Sequence, residues 1–180
     1  MSLNLYYRLL REMKRRSDGN SGILSHFALY FMSVSAFGFA DGFTAMLMME
    51  KFGASAEFNP FLREIFMLGG CECFLTFKVA TAALLLFFPL ALCREMRWTS
   101  ALFFIVFIFG GSAAALNNAF FIINGYQLLT PEAFLLIFFS ATAFALKIGE
   151  ALDENAERKA FFKISEERWE QMKREMGIYF

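Results

Sequence analysis

The sequence predicts an all-α, polytopic membrane protein: a four-transmembrane-helix bundle with a basic segment before it and a charged amphipathic helix after it. Three observations carry this prediction. Hydrophobic residues make up 58% of the 180, including 26 Phe, against 19% charged, far from the balance of a soluble domain. Four apolar runs, at about 23–49, 66–93, 98–123 and 132–150, come close to or exceed the roughly 20 residues that cross a hydrocarbon core. Lys and Arg gather at one set of run ends although the formal net charge is zero, so the distribution says more than the sum.

Residues 1–22 form the first element. Leu3, Leu5, Tyr6, Leu9, Leu10 and Met13 interleave with Arg8, Arg11, Lys14, Arg15 and Arg16, a pattern suited to lying on anionic lipid headgroups. The plainer reading is a positive flank that fixes orientation. Ser17-Asp18-Gly19-Asn20-Ser21-Gly22 is a breaker cluster that sets a hinge before the membrane. The run that follows is too long for the roughly 7 to 15 apolar residues of a cleaved signal peptide, so it is read as a retained span.

The first span carries His26 near its inner end, read as an interfacial side chain, and Asp41 in its outer half. An ionised group inside a span costs about 2.5 to 3.5 kcal/mol and therefore faces the protein interior with a partner. Gly38, Ala40, Gly42 and Ala45 around Asp41 are the residue types that let a second helix approach closely in lipid. In the polar connection 50–63, Asn59-Pro60 is a helix start, a capping side chain followed by a first-turn proline.

Span two holds Glu72 near its outer end, Lys78 deeper, and Pro89, expected to kink the inner end. Cys71 and Cys73 supply two of the four ligands that a structural zinc centre needs. They are read as packing residues, and neither metal nor cofactor is expected. Arg94 to Trp98 is a basic turn with an interfacial Trp. Span three contains the small run Gly110 to Ala115 and then Asn117-Asn118. Thr130-Pro131 repeats the cap-and-proline start ahead of span four, which ends at Lys147 and Glu150.

From residue 151 to 180 the composition turns charged, and Phe162, Ser165, Trp169, Met172 and Met176 recur at spacings of three and four. A helix there has one apolar stripe, expected to dock on the membrane surface, a second copy or a cytoplasmic partner protein. Fourteen Lys and Arg fall in residues 1–20, in 94–97 and from 147 onward, against two in the other connections. The positive-inside rule then puts both termini in the cytoplasm. At about 1.5 Å per residue, Asp41, Lys78 and Asn117-Asn118 all reach the outer half of the membrane, where Asp41, Lys78 and Asn118, joined by Glu57 or Glu72, are expected to share one pocket.

Asp41-Gly42-Phe43-Thr44, Gly53, Glu57-Phe58-Asn59-Pro60, Phe74, Lys78 and the Asn117-Asn118 pair together resemble an uncharacterised prokaryotic family of small multi-span membrane proteins. Its pattern is an Asp and Thr in one span, a Gly and a Glu-x-Asn-Pro before the next, and a Lys within that next span. The resemblance covers about Phe37 to Asn124 and leaves out both terminal segments. It implies a polar cluster of Asp41, Thr44, Glu57, Asn59, Pro60, Lys78, Asn117 and Asn118, and assigns no activity.

No Ser with His, no His pair and no Gly-rich phosphate loop is present, so no recognisable catalytic constellation points to an enzyme. No nucleic-acid partner is expected either. The expected role is an oligomeric membrane scaffold or interaction subunit; the alternative is an ion or small-solute channel or transporter subunit using an Asp41/Lys78 pocket.

Overall fold

The computed structural model describes residues 21–175, and all their regular structure is helical. Four helices are long and apolar enough to cross a membrane. Helix α1 spans 21–52 as α-helix Ser21–Ser33, π-helix Val34–Ala40 and α-helix Asp41–Phe52; α2 is Pro60–Leu92, α3 is Arg97–Asn124 and α4 is Pro131–Glu175. Arg8, Arg11, Lys14, Arg15, Arg16 and Met176 lie outside the described residues.

Local chemistry fixes the boundaries. Asn59 Oδ1 accepts from the Phe61 N–H at 3.0 Å ahead of Pro60, and Thr130 Oγ1 accepts from the Ala133 N–H at 3.3 Å ahead of Pro131, so both helices begin at their cap-and-proline pairs. The helix of span two thus starts at Pro60, ahead of the apolar run from about 66. Its irregularity is also displaced. The dihedrals stay helical through Pro89 and break instead at Gly70, φ 68° and ψ −167°, a region that belongs to glycine.

The charged C-terminal stretch, expected as a helix of its own, continues span four without interruption. Helix α4 runs 45 residues, about 68 Å at the usual rise. After Pro131 it contains no further proline, and its one glycine, Gly149, packs so closely that a Cβ there would lie 2.5 Å from Thr99 Cα.

Helix α3 is the central element, in contact with α1, α2 and α4. The start of α3 lacks a capping side chain of its own. Asp153 of α4 supplies one: its carboxylate accepts from Trp98 N at 2.9 Å, Thr99 N at 3.0 Å and Thr99 Oγ1 at 2.8 Å. An anion at a helix N-terminus also meets the positive end of the macrodipole. Asp153→Ala is therefore expected to lower stability by about 1 to 2 kcal/mol, read as an earlier unfolding transition in detergent, with Asp153→Glu losing less.

His26, expected at the interface, is buried at 3% exposure, with Nδ1 2.8 Å from Gly22 O and Nε2 3.0 Å from Arg97 O. It joins the first turns of α1 and α3. Further along, Ser33 Oγ reaches Phe104 O at 3.0 Å and Tyr30 Oη donates to Ala83 O at 3.1 Å. At the opposite end Lys51 Nζ donates to Ile122 O at 2.6 Å, a cation on the last carbonyls of α3.

Two apolar clusters form the core. Leu86, Leu90, Cys93, Phe104 and Phe107 occupy the His26 end, and Ala45, Met49 and Phe74 the Lys51 end. Between them the helices cross closely. A Cβ on Gly38 would lie 2.9 Å from Ala82 Cβ and 3.2 Å from Val79 Cα, and one on Gly42 3.3 Å from the Lys78 stem. The small residues flanking Asp41 do admit a neighbouring helix, as their size requires. The outward faces stay apolar, with Leu84, Phe88, Phe109, Leu136 and Phe144 all exposed.

Candidate functional site

Asp41 stands where the π-helical stretch ends. Its N–H bonds to Ala36 O and Gly38 O, and a π segment inserts an extra residue into the turn, which rephases the side chains that follow. Asp41 is 8% exposed, about 15 Å along α1 from Lys51 and about 22 Å from His26 at the usual rise. It sits between the two apolar clusters, where its charge has to be answered by protein groups.

Two helices answer it. Lys78 Nζ of α2 donates to Asp41 Oδ2 at 2.5 Å, and Asn118 Nδ2 of α3 donates to Oδ1 at 3.0 Å. The same Asn118 amide lies 3.4 Å from Thr44 Oγ1, and the threonine hydroxyl faces the carbonyls of Ala40 at 2.9 Å and Asp41 at 3.1 Å. Lys78 Nζ is also 5.9 Å from the Phe74 ring centroid, within cation–π range. Both carboxylate oxygens are bonded and the charges cancel, so the geometry is that of a neutral clamp across α1, α2 and α3.

The other members of the expected polar set lie elsewhere. Glu57 Oε1 accepts from Asn59 N at 3.0 Å and Glu57 O from Arg63 Nη2 at 2.8 Å; with Asn59 and Pro60 it builds the α1–α2 connection. The last three turns of α1 separate that loop from Asp41. Asn117 makes a two-way bond with the Leu129 backbone, Oδ1 from N at 2.9 Å and Nδ2 to O at 3.2 Å. Successive helical residues point about 100° apart, so Asn118 faces Asp41 and Asn117 faces the α3–α4 loop. The single pocket expected under the outer loop is in fact a four-residue cluster and two loop braces.

Glu72 does not join the cluster either. It is exposed on α2 and lines a shallow groove of about 460 Å³ with Cys73, Thr76, Phe77 and Ala80. Cys71 Sγ donates to Glu50 Oε1 at 2.9 Å, and all three cysteines are free thiols. On the projecting part of α4, Phe162 is 68% and Trp169 52% exposed. Lys173 pairs with Glu170 at 2.8 Å and lies 5.7 Å from the Trp169 ring. Met172 belongs to the same helix.

Asp153, Lys51, Ser33 and Tyr30 were not singled out by the sequence. Asp153 follows Gly149 by four residues, and its capping role appears only once the fold brings Gly149 against Thr99. Comparison with protein-family models, curated proteins and solved structures finds no match for this chain. Among the described residues the regular structure is all helical, with four helices of membrane-crossing length and apolarity.

Proposed function

We propose that the protein is a multi-pass scaffold or interaction subunit of a prokaryotic cytoplasmic membrane, non-enzymatic and oligomeric. Its four spans form a bundle with both termini in the cytoplasm, by the Lys and Arg distribution. One observation carries this reading: α4 leaves the membrane-length part of the fold as a continuous helix, anchored to α3 by Asp153 and presenting Phe162 and Trp169. From Asp153 to Glu175 the arm extends about 33 Å. Exposed aromatic anchors on a rigid support are what helix-mediated association uses.

The clamp favours the same reading, since a carboxylate with both oxygens engaged by Lys78 and Asn118 stabilises the bundle without opening a path through it. Light scattering of the purified protein is expected to give an assembly heavier than one chain, reduced to one chain by Phe162→Ser with Trp169→Ser. Equal masses would overturn the proposal. The π-helical stretch beside Asp41 favours a second reading, a solute pathway through the Asp41/Lys78 cluster, because π segments recur at functional sites. Flux through reconstituted vesicles that disappears in Asp41→Asn is its required signature.

A further inference from the structure

The exposed face of α2 carries a groove that the clamp does not use. Glu72, Cys73, Thr76 and Ala80, all exposed, floor a hollow of about 460 Å³ beside Phe77. Thr76 and Ala80 also line a second hollow of about 360 Å³, with Phe39 of α1 and with Val79 and Ala83 further down α2. Together the two run from Glu72 to Ala83, about 16 Å at the usual rise and half of a hydrocarbon core of about 30 Å. The groove is one leaflet deep.

Its walls are braced and one end is polar. Phe39 stacks on Phe43 at 5.9 Å, and Phe77 meets the Phe61 ring edge-on at 5.6 Å. Sixteen residues of unbroken helix would hold Phe61 about 24 Å from Phe77, so the turn at Gly70 folds the start of α2 back onto the rim of the groove. Glu50, in the last turn of α1, accepts from Cys71 Sγ at 2.9 Å, which sets the adjoining Glu72 at the level where α1 ends. Among the described residues the Glu72 carboxylate has no hydrogen bond or ion pair, and neither has the Thr76 hydroxyl, about 6 Å deeper along α2.

We propose that this groove holds an acyl chain of an outer-leaflet phospholipid whose headgroup ends in a primary amine, with the ammonium on Glu72 and an ester oxygen accepting from Thr76 Oγ1. Charge complementarity selects the headgroup. An ammonium donates charge-assisted hydrogen bonds to the free carboxylate, a trimethylammonium has no N–H to donate, and an anionic headgroup is repelled by both Glu72 and Glu50. A floor of small residues also admits a second helix. A two-fold pairing of copies on this face, however, repeats the same patch on both sides and would set the two Glu72 carboxylates against each other. The choice of leaflet rests on the topology proposed above; the groove and its polar end do not.

Native mass spectrometry of the full chain, delipidated in detergent and titrated with phosphatidylethanolamine, phosphatidylcholine or phosphatidylglycerol of matched chains, reads the bound lipid directly. The expected adduct is one phosphatidylethanolamine per chain, retained several-fold more strongly than either other lipid. Glu72→Gln, which keeps the side-chain volume, should lower that retention several-fold and level the three lipids. Ala80→Phe, at an exposed position, should fill the groove and remove the adduct whatever its headgroup, with the unfolding transition unchanged. Absence of the adduct, equal retention of the three lipids by the wild type, or an adduct indifferent to Glu72→Gln or to Ala80→Phe would each overturn the proposal. So would a chain dimer that Ala80→Phe splits, which would assign the face to a second copy. The light-scattering result turns on Phe162 and Trp169 of α4, so failure here leaves the scaffold reading and its mass measurement untouched.

Discussion

Lys78→Met is expected to lower stability by about 3 to 5 kcal/mol, the cost of stranding one member of a buried ion pair. The variant leaves the Asp41 carboxyl, 8% exposed, between two apolar clusters without its cationic partner and with the Asn118 amide as its remaining side-chain donor. The measurement is reversible unfolding in mixed micelles or steric trapping in bicelles, compared with the wild type. Asp41→Leu should cost less, because the long Lys78 stem gives its ammonium a way toward the surface that the short aspartate lacks. The double variant, Asp41→Leu with Lys78→Met, is expected to recover most of the loss, since apolar groups of similar volume replace buried pairs at little cost. Asn118→Ala, which removes one neutral donor, is expected to cost about 0.6 kcal/mol, the mean for interhelical polar contacts in membranes. A double variant as unstable as the sum of its singles would mean that the two charges act independently, contrary to the clamp.

The contrast between those variants reflects why Asp41 and Lys78 were legible in the sequence while their surroundings were not. A charge in a membrane-length apolar run demands a partner, and one acid and one base at matching depths give the solution, 37 residues apart in the chain. Whether Asn117 or Asn118 completes the set depends on the azimuth of α3, which composition does not reveal. The helix starts at Asn59-Pro60 and Thr130-Pro131 were legible because capping is local chemistry. The π-helical turn at Val34–Ala40 has no such marker, and it packs against both α2 and α3.

The same division explains Asp153 and the helix break. Read alone, Asp153 is one acid in a charged tail; it becomes a cap only once Gly149 draws α4 onto Thr99. Pro89 cannot donate to the helix ladder, yet the break falls at Gly70. There the first ten residues of α2 pack Leu62, Ile65 and Phe66 against the cluster of Ala45, Met49 and Phe74. The Gly69-Gly70 pair permits the positive φ at the break, and the packing of these groups makes use of it.

Gly111→Ala is expected to be the most disruptive single-methyl addition in the fold. A Cβ there would overlap the backbone of Ala36 and Phe37, within the π-helical stretch, and backbone atoms cannot rotate away as a side chain does. The expected cost is at or above the upper end of the about 1 to 3 kcal/mol typical of overpacking. Gly110→Ala meets only the Phe138 ring, at 2.5 Å, which can turn aside, so it should cost less. Ser112→Ala, on an exposed position, should be close to neutral. The damage at Gly111 should also reach the clamp. Asn118 follows Gly111 by seven residues and so shares its face of α3, and Asp41 follows Phe37 by four on α1. Prying the two helices apart at the glycine lengthens the 3.0 Å bond from Asn118 to Asp41. Its signature is non-additivity: Asn118→Ala should cost less in the Gly111→Ala background than in the wild type, because the contact it removes is already weakened. Full additivity would place the α1–α3 crossing and the clamp on separate structural units, and tolerance of Gly111→Ala itself would mean that the two backbones do not approach as closely as this fold requires.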